Sequence, residues 1–241
     1  MSPVPSNTEG SRRFLTAFYG IEKHLERIAG SKKGPGYRDT FYDLVNAASK
    51  GDAAVRRYEV DLKEYADLRN AIVHERRGDD AIAEPHPEIV TALEAILENL
   101  TKPPLVSSRF TKRVVSCTPS DPISKATRMM KDGNFSQVPV YDDEFRGLLT
   151  GETVARWLAS RLGSDEIIIG EPVEVVMRET EDPDNFVLLA RTATIFDAKE
   201  KFDDYYRRGK SLDAIVITDA GRPRDTPLGI ITVFDYPNLV P

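Results

Sequence analysis

Apolar residues in the first hundred positions recur three and four apart from Ser11 onward, as on one buried face of an α-helix. The pattern predicts four helices, at about 11–29, 38–48, 53–75 and 87–100, and Pro103-Pro104 ends the last one. Met1–Gly10 is polar and contains proline, so we expect a disordered tail over residues 1–10. Residues 11–104 should then form an all-α bundle.

Beyond Pro104 short apolar runs alternate with single amphipathic stretches, which predicts strands and helices in turn. The first set has strands at Val114–Cys117, Gln137–Tyr141 and Phe145–Thr150, and helices at 122–131 and Val154–Leu162. The second set has strands at Phe186–Leu189, Asp213–Thr218 and Leu228–Thr232, and a helix at Thr194–Arg207. This repeat predicts two modules, 105–165 and 166–241, whose apolar sheet faces pack on each other.

One short motif ends both sets. Gly147-Leu148-Leu149-Thr150 is followed three residues later by Thr153, and Gly229-Ile230-Ile231-Thr232 by Asp235. A buried strand that ends in a hydroxyl exposes backbone N–H groups that suit a phosphate, and an acid beside it suits ribose hydroxyls. The alternative is ordinary helix capping, with Asp235 as the N-cap residue.

Composition narrows the functional classes. The 241 residues are 40% apolar and 30% charged, with a formal net charge of −6, which argues against non-specific duplex DNA binding. The single Cys117 excludes an internal disulfide and fits a reducing cytoplasm. No signal peptide or membrane-length apolar run is present, so we expect a cytoplasmic protein. Cys117 and the three histidines lack a zinc-site spacing, so we expect no metal.

Residues 105–240 resemble a tandem pair of CBS domains, also called a Bateman module. The matching features are Thr118-Pro119 before the first helix, the strand Ser136–Val140, and the two Gly-x-x-Thr motifs. The implied fold class is α+β: an N-terminal all-α bundle, then two βαββα modules packed as a pseudo-two-fold pair. Members of this family bind adenosine-type nucleotides in clefts that join the front of one module to the back of the other. The acid of the motif holds ribose, and its Thr or Ser helps to hold phosphate.

The resemblance implies one intact cleft. The first module keeps its front residues but has Thr153 in place of the acid, whereas the second keeps Asp235 but has Ile215 where the first has Pro139. We therefore expect one adenine nucleotide, AMP, ADP or ATP, per chain, and the alternative is an empty, purely structural pair. The predicted nucleotide-binding residues are Thr118, Pro119, Asp121, Phe135, Ser136, Gln137, Pro139, Thr232 and Asp235. The candidate phosphate partners, which a solvated charged face would also explain, are Arg109, Lys112, Arg113, Arg222 and Arg224.

Residues 11–102 resemble the HEPN family through the run Arg69-Asn70-Ala71-Ile72-Val73-His74. Many members of that family are dimeric, metal-independent RNA endonucleases. The resemblance implies that Arg69 clamps a phosphate, Asn70 orients a phosphate or caps a partner helix, and His74 moves a proton. Arg69 and His74 would point about 140° apart on a straight helix, so they converge only at a bend, at the helix end or across a two-fold axis. Alternatively, Arg69 pairs with Asp67 or Glu64, and His74 caps a helix.

Three functional hypotheses follow. The first is a regulatory protein whose CBS pair binds an adenine nucleotide and controls the helical domain or its dimerisation. The second is a nucleotide-gated, metal-independent endoribonuclease with RNA as substrate. The third is a non-catalytic scaffold that homodimerises and carries an empty CBS pair. None of them calls for a membrane or for duplex DNA.

Overall fold

The computed structural model describes residues 9–30, 39–74, 84–162 and 169–240. The chain divides into two compact units, Met1–Pro104 and Leu105–Pro241. The helices described in the first unit are α1 (Glu9–Ala29), α2 (Phe41–Ala48), α3 (Ala53–Arg57), α4 (Glu59–His74) and α5 (Pro87–Thr101). The helix α1 begins two residues before the predicted start, and the first eight residues of the expected disordered tail lie outside the described part.

Aromatic and aliphatic side chains on the helical stripes form the core of the first unit. Phe14 and Leu25 of α1 are fully buried. The ring of Phe18 stacks on that of Phe41 at the start of α2, with 4.4 Å between ring centroids. The start of α2 is fixed by a capping box, in which the Thr40 hydroxyl accepts from the Asp43 N–H and the Asp43 carboxylate accepts from the Thr40 N–H.

The predicted third helix is interrupted at Tyr58, which separates α3 from α4. The backbone of Tyr58 leaves the helical region at φ −102° and ψ 11°. Its buried hydroxyl accepts a hydrogen bond of 3.0 Å from the amide of Asn99 in α5. The apolar spacing continues across this residue, so the sequence pattern alone predicts one helix.

The second unit contains five strands and five α-helices in its described residues. The strands are β1 (Gln137–Tyr141), β2 (Phe145–Thr150), β3 (Phe186–Ala190), β4 (Ala214–Thr218) and β5 (Gly229–Thr232). The helices are α6 (Val106–Phe110), α7 (Ile123–Gly133), α8 (Gly151–Arg161), α9 (Val173–Val176) and α10 (Ile195–Arg207). Together with the described helices of the first unit, they make a mixed α and β protein.

The two modules share one sheet topology. In the second module β3 lies parallel to β4, and β4 lies antiparallel to β5. In the first module β1 and β2 are antiparallel, and a parallel bridge from Cys117 to Val140 occupies the place of β3. The predicted strand Val114–Cys117 is therefore wrong except at Cys117, whose N–H donates to the carbonyl of Pro139 at 3.0 Å.

The second module ends differently from the βαββα prediction. The 3-10 helix Val233–Asn238 follows β5, where the first module has the α-helix α8. Pro237 lies inside this 3-10 helix, and its missing N–H prevents a regular α-helix. The Tyr236 hydroxyl of the turn donates to Asp203 of α10 at 2.5 Å, which ties the turn to that helix.

Each module also packs against a short segment of chain that leads into the other module. Thr111 forms an antiparallel bridge with Gly229 of β5, and the Lys112 N–H donates to Leu228 at 3.1 Å. Conversely, the Val173 N–H donates to the carbonyl of Asp121 in the first module at 2.9 Å. The predicted boundary between residues 165 and 166 therefore divides the sequence but not the packing. The exchange carries residues 112–115 to the edge of β5.

Candidate functional site

A cavity of about 820 Å³ lies between the two modules of the second unit. One wall is the segment Lys112–Val115, carried there by the bridge at Thr111. The last turn of α7 and the start of β1 form a second wall, and the end of β5 with the following turn forms a third. The cavity thus joins the front of the first module to the back of the second.

Most of the predicted nucleotide-binding residues line this cavity. Those from the first module are Phe135, Ser136, Gln137 and Pro139. Those from the second are Thr232 and Asp235, about a hundred positions later in the chain. The Gln137 side chain also reaches the second module, because its amide Nε2 lies 3.4 Å from the carbonyl of Asp213.

The structure places Thr118, Pro119 and Asp121 outside the cavity lining. The Asp121 carboxylate accepts from the Thr118 N–H at 2.9 Å and from Lys125 at 2.8 Å. Burial would raise the pKa of Asp121, but the bonds from Lys125 and Thr118 outweigh it and hold that pKa below its usual value. The Pro119 carbonyl accepts from the N–H of Glu174 at 3.0 Å. These three residues therefore stabilise the start of α7 and its contact with α9.

Asp235 and Thr232 form a capping box at the end of β5. The Asp235 oxygen Oδ2 accepts from the Thr232 N–H at 2.9 Å and from the Thr232 hydroxyl at 3.1 Å. Thr232 is thus the N-cap residue, and the alternative that made Asp235 the N-cap is corrected. No described residue donates to the second oxygen, Oδ1, so the carboxylate can be held in place by one oxygen and accept from a ligand with the other.

Three cationic side chains line the same cavity: Lys112, Arg113 and Lys131. The first two are among the candidate phosphate partners, whereas the sequence analysis did not predict Lys131 as one. Lys131 lies in the last turn of α7, just before the left-handed Asn134 that ends the helix. Its direction depends on where that helix stops, which a periodic pattern does not give to within a residue.

The other candidate phosphate partners are placed elsewhere. Arg109 donates to the backbone carbonyls of Asn238 and Val240, at 3.2 and 2.8 Å, and so holds the C-terminal turn. Arg222 and Arg224 lie in the loop before β5 and do not line the cavity. Of the five candidates, the structure brings only Lys112 and Arg113 to the site.

Apolar side chains complete the cavity, and sequence reasoning found two of them, Phe135 and Pro139. The others are Val114, Val115, Met130, Ile230 and Phe234. Phe234 is 82% exposed and stands beside Asp235 in the turn after β5. The sequence signal that could have identified it is its position inside the motif, directly before Asp235.

The pseudo-equivalent positions of the other cleft belong to the interior. Thr153, which replaces the acid, is 2% exposed, and its hydroxyl lies 3.0 Å from that of Thr150 and 3.4 Å from that of Thr180. Ile215, which replaces Pro139, is fully buried in β4. Neither residue offers a charged group to a ligand.

In the first unit, Arg69 donates to the side-chain oxygen of Asn70 at 3.2 Å. It does not pair with Asp67, which accepts instead from the Tyr42 hydroxyl at 2.8 Å. The helix α4 extends to His74, whose side chain lies outside the described part of the chain. The convergence of Arg69 and His74 therefore stays a prediction.

Comparison with solved structures finds CBS domain proteins. One is the CBS domain of a CBS domain-containing membrane protein from Sphaerobacter thermophilus, at 19% identity and TM-score 0.44, over 63% of this chain and 96% of that chain. Another is the CBS domain pair of protein MJ0100 in complex with 5′-methylthioadenosine and S-adenosyl-L-methionine, at 16% identity and TM-score 0.43, over 57% and 95%. A third is CBSX2 in complex with AMP, at 17% identity and TM-score 0.41, over 56% and 94%.

The search of curated protein sequences finds no match. Across the described residues, the helices are all too short or too polar to cross a membrane. The family model of the CBS domain matches residues 106–160, which confirms the prediction of a CBS domain in the first module.

Proposed function

We propose that the second unit is a regulatory module that binds one adenine nucleotide, AMP, ADP or ATP, in the cavity between its two modules. The observation that carries the proposal is the convergence on one cavity of the Asp235 carboxylate, the Thr232 hydroxyl and three cationic side chains. A volume of about 820 Å³ lies within the range of small-ligand sites, roughly 300–1,000 Å³.

Each part of a nucleotide has a chemically matched partner in this cavity. The Oδ1 oxygen of Asp235 can accept from the ribose hydroxyls while Oδ2 keeps its bond to the Thr232 N–H, and the Thr232 hydroxyl can then turn its one proton from Oδ2 to a phosphate oxygen. The cationic side chains and the Thr232 hydroxyl suit the phosphates. Phe135, Met130 and Phe234 suit the faces of the base, since aromatic and thioether groups pack well on flat apolar rings.

The other cleft supports a count of one nucleotide per chain. A ribose there would meet the buried Thr153 hydroxyl, which is already shared with Thr150 and Thr180. A neutral hydroxyl in the core accepts less strongly than a carboxylate at a cavity wall. The absence of an acid at position 153 and the burial of Thr153 both argue against nucleotide binding in this second cleft.

The regulatory role follows from the position of the site between the modules. A ligand that contacts both changes the relative stability of their arrangements by its differential affinity for them. The proposed output is control of the helical unit or of its dimerisation. We also propose that the protein acts in the cytoplasm, because a single cysteine fits a reducing compartment.

The test is isothermal titration of the full chain with AMP, ADP and ATP, with GMP, GDP and GTP as matched controls. We expect binding of at least one adenine nucleotide with a stoichiometry near one per chain. A ligand at a hundred times its Kd should also stabilise the second unit by about 2.7 kcal/mol, visible as a raised melting temperature. Absence of binding by all three, or two equivalent sites per chain, would overturn the proposal.

A further inference from the structure

We infer that this cavity selects adenine nucleotides with two or three phosphates over AMP and over S-adenosyl compounds, an inference that rests on the proposed function. The Asp235 carboxylate and the Thr232 hydroxyl do not determine how many phosphates the ligand carries. The net positive charge of the cavity wall does.

The wall carries three cations and one carboxylate. Lys112 and Arg113 come from the segment before the first module, and Lys131 comes from the last turn of α7, so two separate segments bring positive charge to one cavity. Asp235 is the carboxylate among its lining residues. The whole chain has a formal net charge of −6, so this local positive excess runs against the overall balance.

None of the three cations is neutralised within the described part of the protein. Eight of the other fifteen lysines and arginines of the second unit are paired there, for example Lys125 with Asp121 at 2.8 Å and Arg146 with Asp142 at 3.0 Å. Lys112, Arg113 and Lys131 have no carboxylate within 4.0 Å among the described residues. Their charge is available to a ligand without breaking an existing ion pair.

The preference then follows from charge matching. Each phosphate beyond the first adds about one negative charge near neutral pH and several acceptor oxygens. A monophosphate engages part of the positive wall and leaves the rest unpaired. A di- or triphosphate reaches more of it, whereas the cationic sulfonium of an S-adenosyl group is repelled.

The three cations are exposed, so their contribution is screened by salt. Affinity for a triphosphate should therefore fall steeply as ionic strength rises. Affinity for adenosine, which carries no charge, should change little over the same range. This contrast separates a charge effect from a difference in ligand size.

The experiment is isothermal titration of the full chain with adenosine, AMP, ADP, ATP and S-adenosylmethionine, in EDTA and at two salt concentrations. Variants Arg113→Gln and Lys131→Gln remove one cation each. Arg128→Gln is the matched control, because Arg128 lies one turn before Lys131 on α7 and does not line this cavity. All four proteins are checked for an unchanged melting temperature.

We expect ATP and ADP to bind at least about tenfold more tightly than AMP at low salt. Each cavity variant should lose roughly five- to tenfold in ATP affinity with adenosine binding unchanged, and Arg128→Gln should match the wild type. AMP or S-adenosylmethionine binding as tightly as ATP overturns the inference but leaves the proposed function standing. If no adenine compound binds, both are overturned.

Discussion

Gly229 is the first residue of β5 and of the motif that ends in Asp235, and it contacts the segment 105–112. A Cβ atom at this position would stand 2.3 Å from the carbonyl oxygen of Phe110 and 3.2 Å from Ile217. The first contact is with backbone, which cannot rotate away. The glycine is therefore required by the close approach of the segment 105–112, and the position of that segment sets one wall of the cavity.

We predict that Gly229→Ala destabilises the second unit by about 1–3 kcal/mol, because the segment must move to admit the methyl group. Urea unfolding of the full chain measures this. Gly170→Ala is the control, since nothing lies within 4 Å of the methyl group added there. Equal stability of the two variants would show that the segment does not press on β5.

At this scale the sequence predicts what the repeated motif contains. Thr232 and Asp235 were identified because a strand that ends in a hydroxyl and an acid has a direct chemical meaning. The resemblance to a CBS domain assigns Thr118 and Asp121 to the ligand, but the Asp121 carboxylate is already bonded to the Thr118 N–H and to Lys125. A sequence shows which residues can bind a ligand, and the local hydrogen bonds decide which of them remain available.

The segment before the first module is an element that the apolar pattern misassigns. Val114-Val115-Ser116-Cys117 has the composition of a strand, yet only Cys117 pairs with the sheet. Val115 is 42% exposed and faces the cavity. The pattern identifies apolar residues but does not distinguish a core from the wall of a cavity, nor does it show on which module a segment packs.

Most of the strands were predicted well because each is short, apolar and bounded by turn residues. The predicted and observed limits of β1 and β2 coincide. The final 3-10 helix and the interruption at Tyr58 were missed for a different reason. Both depend on a local backbone conformation that leaves the spacing of apolar residues intact.

The reactivity of the buried Cys117 thiol measures how often the segment Val114–Cys117 detaches from β1. Cys117 is 1% exposed, and burial, with a smaller effect from the charge of Asp121, raises the pKa of its thiol to about 11. Because the thiolate is the reactive form, we predict that a disulfide reagent labels it far more slowly in the native protein than in urea at pH 8. A saturating nucleotide should slow the native reaction further, since it contacts Val114 and Val115 and so opposes the local unfolding that exposes Cys117.

The labelling is followed by absorbance, and the urea-unfolded chain, with its one cysteine, gives the end point. Rapid stoichiometric labelling of the native protein would contradict the observed burial. Labelling that is slow but insensitive to a bound nucleotide would separate Cys117 from the site.

At the scale of the whole molecule, the described residues of the first unit form a helical bundle and those of the second unit include the CBS domain match. The resemblance of the first unit to HEPN ribonucleases rests on the hexapeptide from Arg69 to His74. This ribonuclease hypothesis predicts cleavage of single-stranded RNA in EDTA, reduced about 10²- to 10⁴-fold in His74→Ala through loss of acid–base catalysis.

His86→Ala is the control, because His86 precedes α5 and makes no side-chain capping bond. The assay is run with and without ATP to detect gating. Cleavage lost only in His74→Ala would support the ribonuclease. No cleavage under either condition would contradict it and leave the regulatory protein and the non-catalytic scaffold as the remaining hypotheses.

The central claim is that Asp235 binds the ribose of an adenine nucleotide, and a matched pair of capping-box variants tests it most directly. Asp197 caps α10 with the same geometry, accepting from the Thr194 N–H at 2.7 Å and its hydroxyl at 2.8 Å, but does not line the cavity. Asp235→Ala and Asp197→Ala should therefore lose similar capping stability, roughly 0.5–2 kcal/mol.

The measurement is the Kd of each variant for the nucleotide that binds the wild type most tightly, by isothermal titration. Asp235→Ala should lose about 1.5–3 kcal/mol of binding free energy, roughly a ten- to hundredfold rise in Kd, because it alone removes a charged acceptor from the ribose. Asp197→Ala should bind as the wild type does. Unchanged binding by Asp235→Ala, or an equal loss in both variants, would contradict the claim.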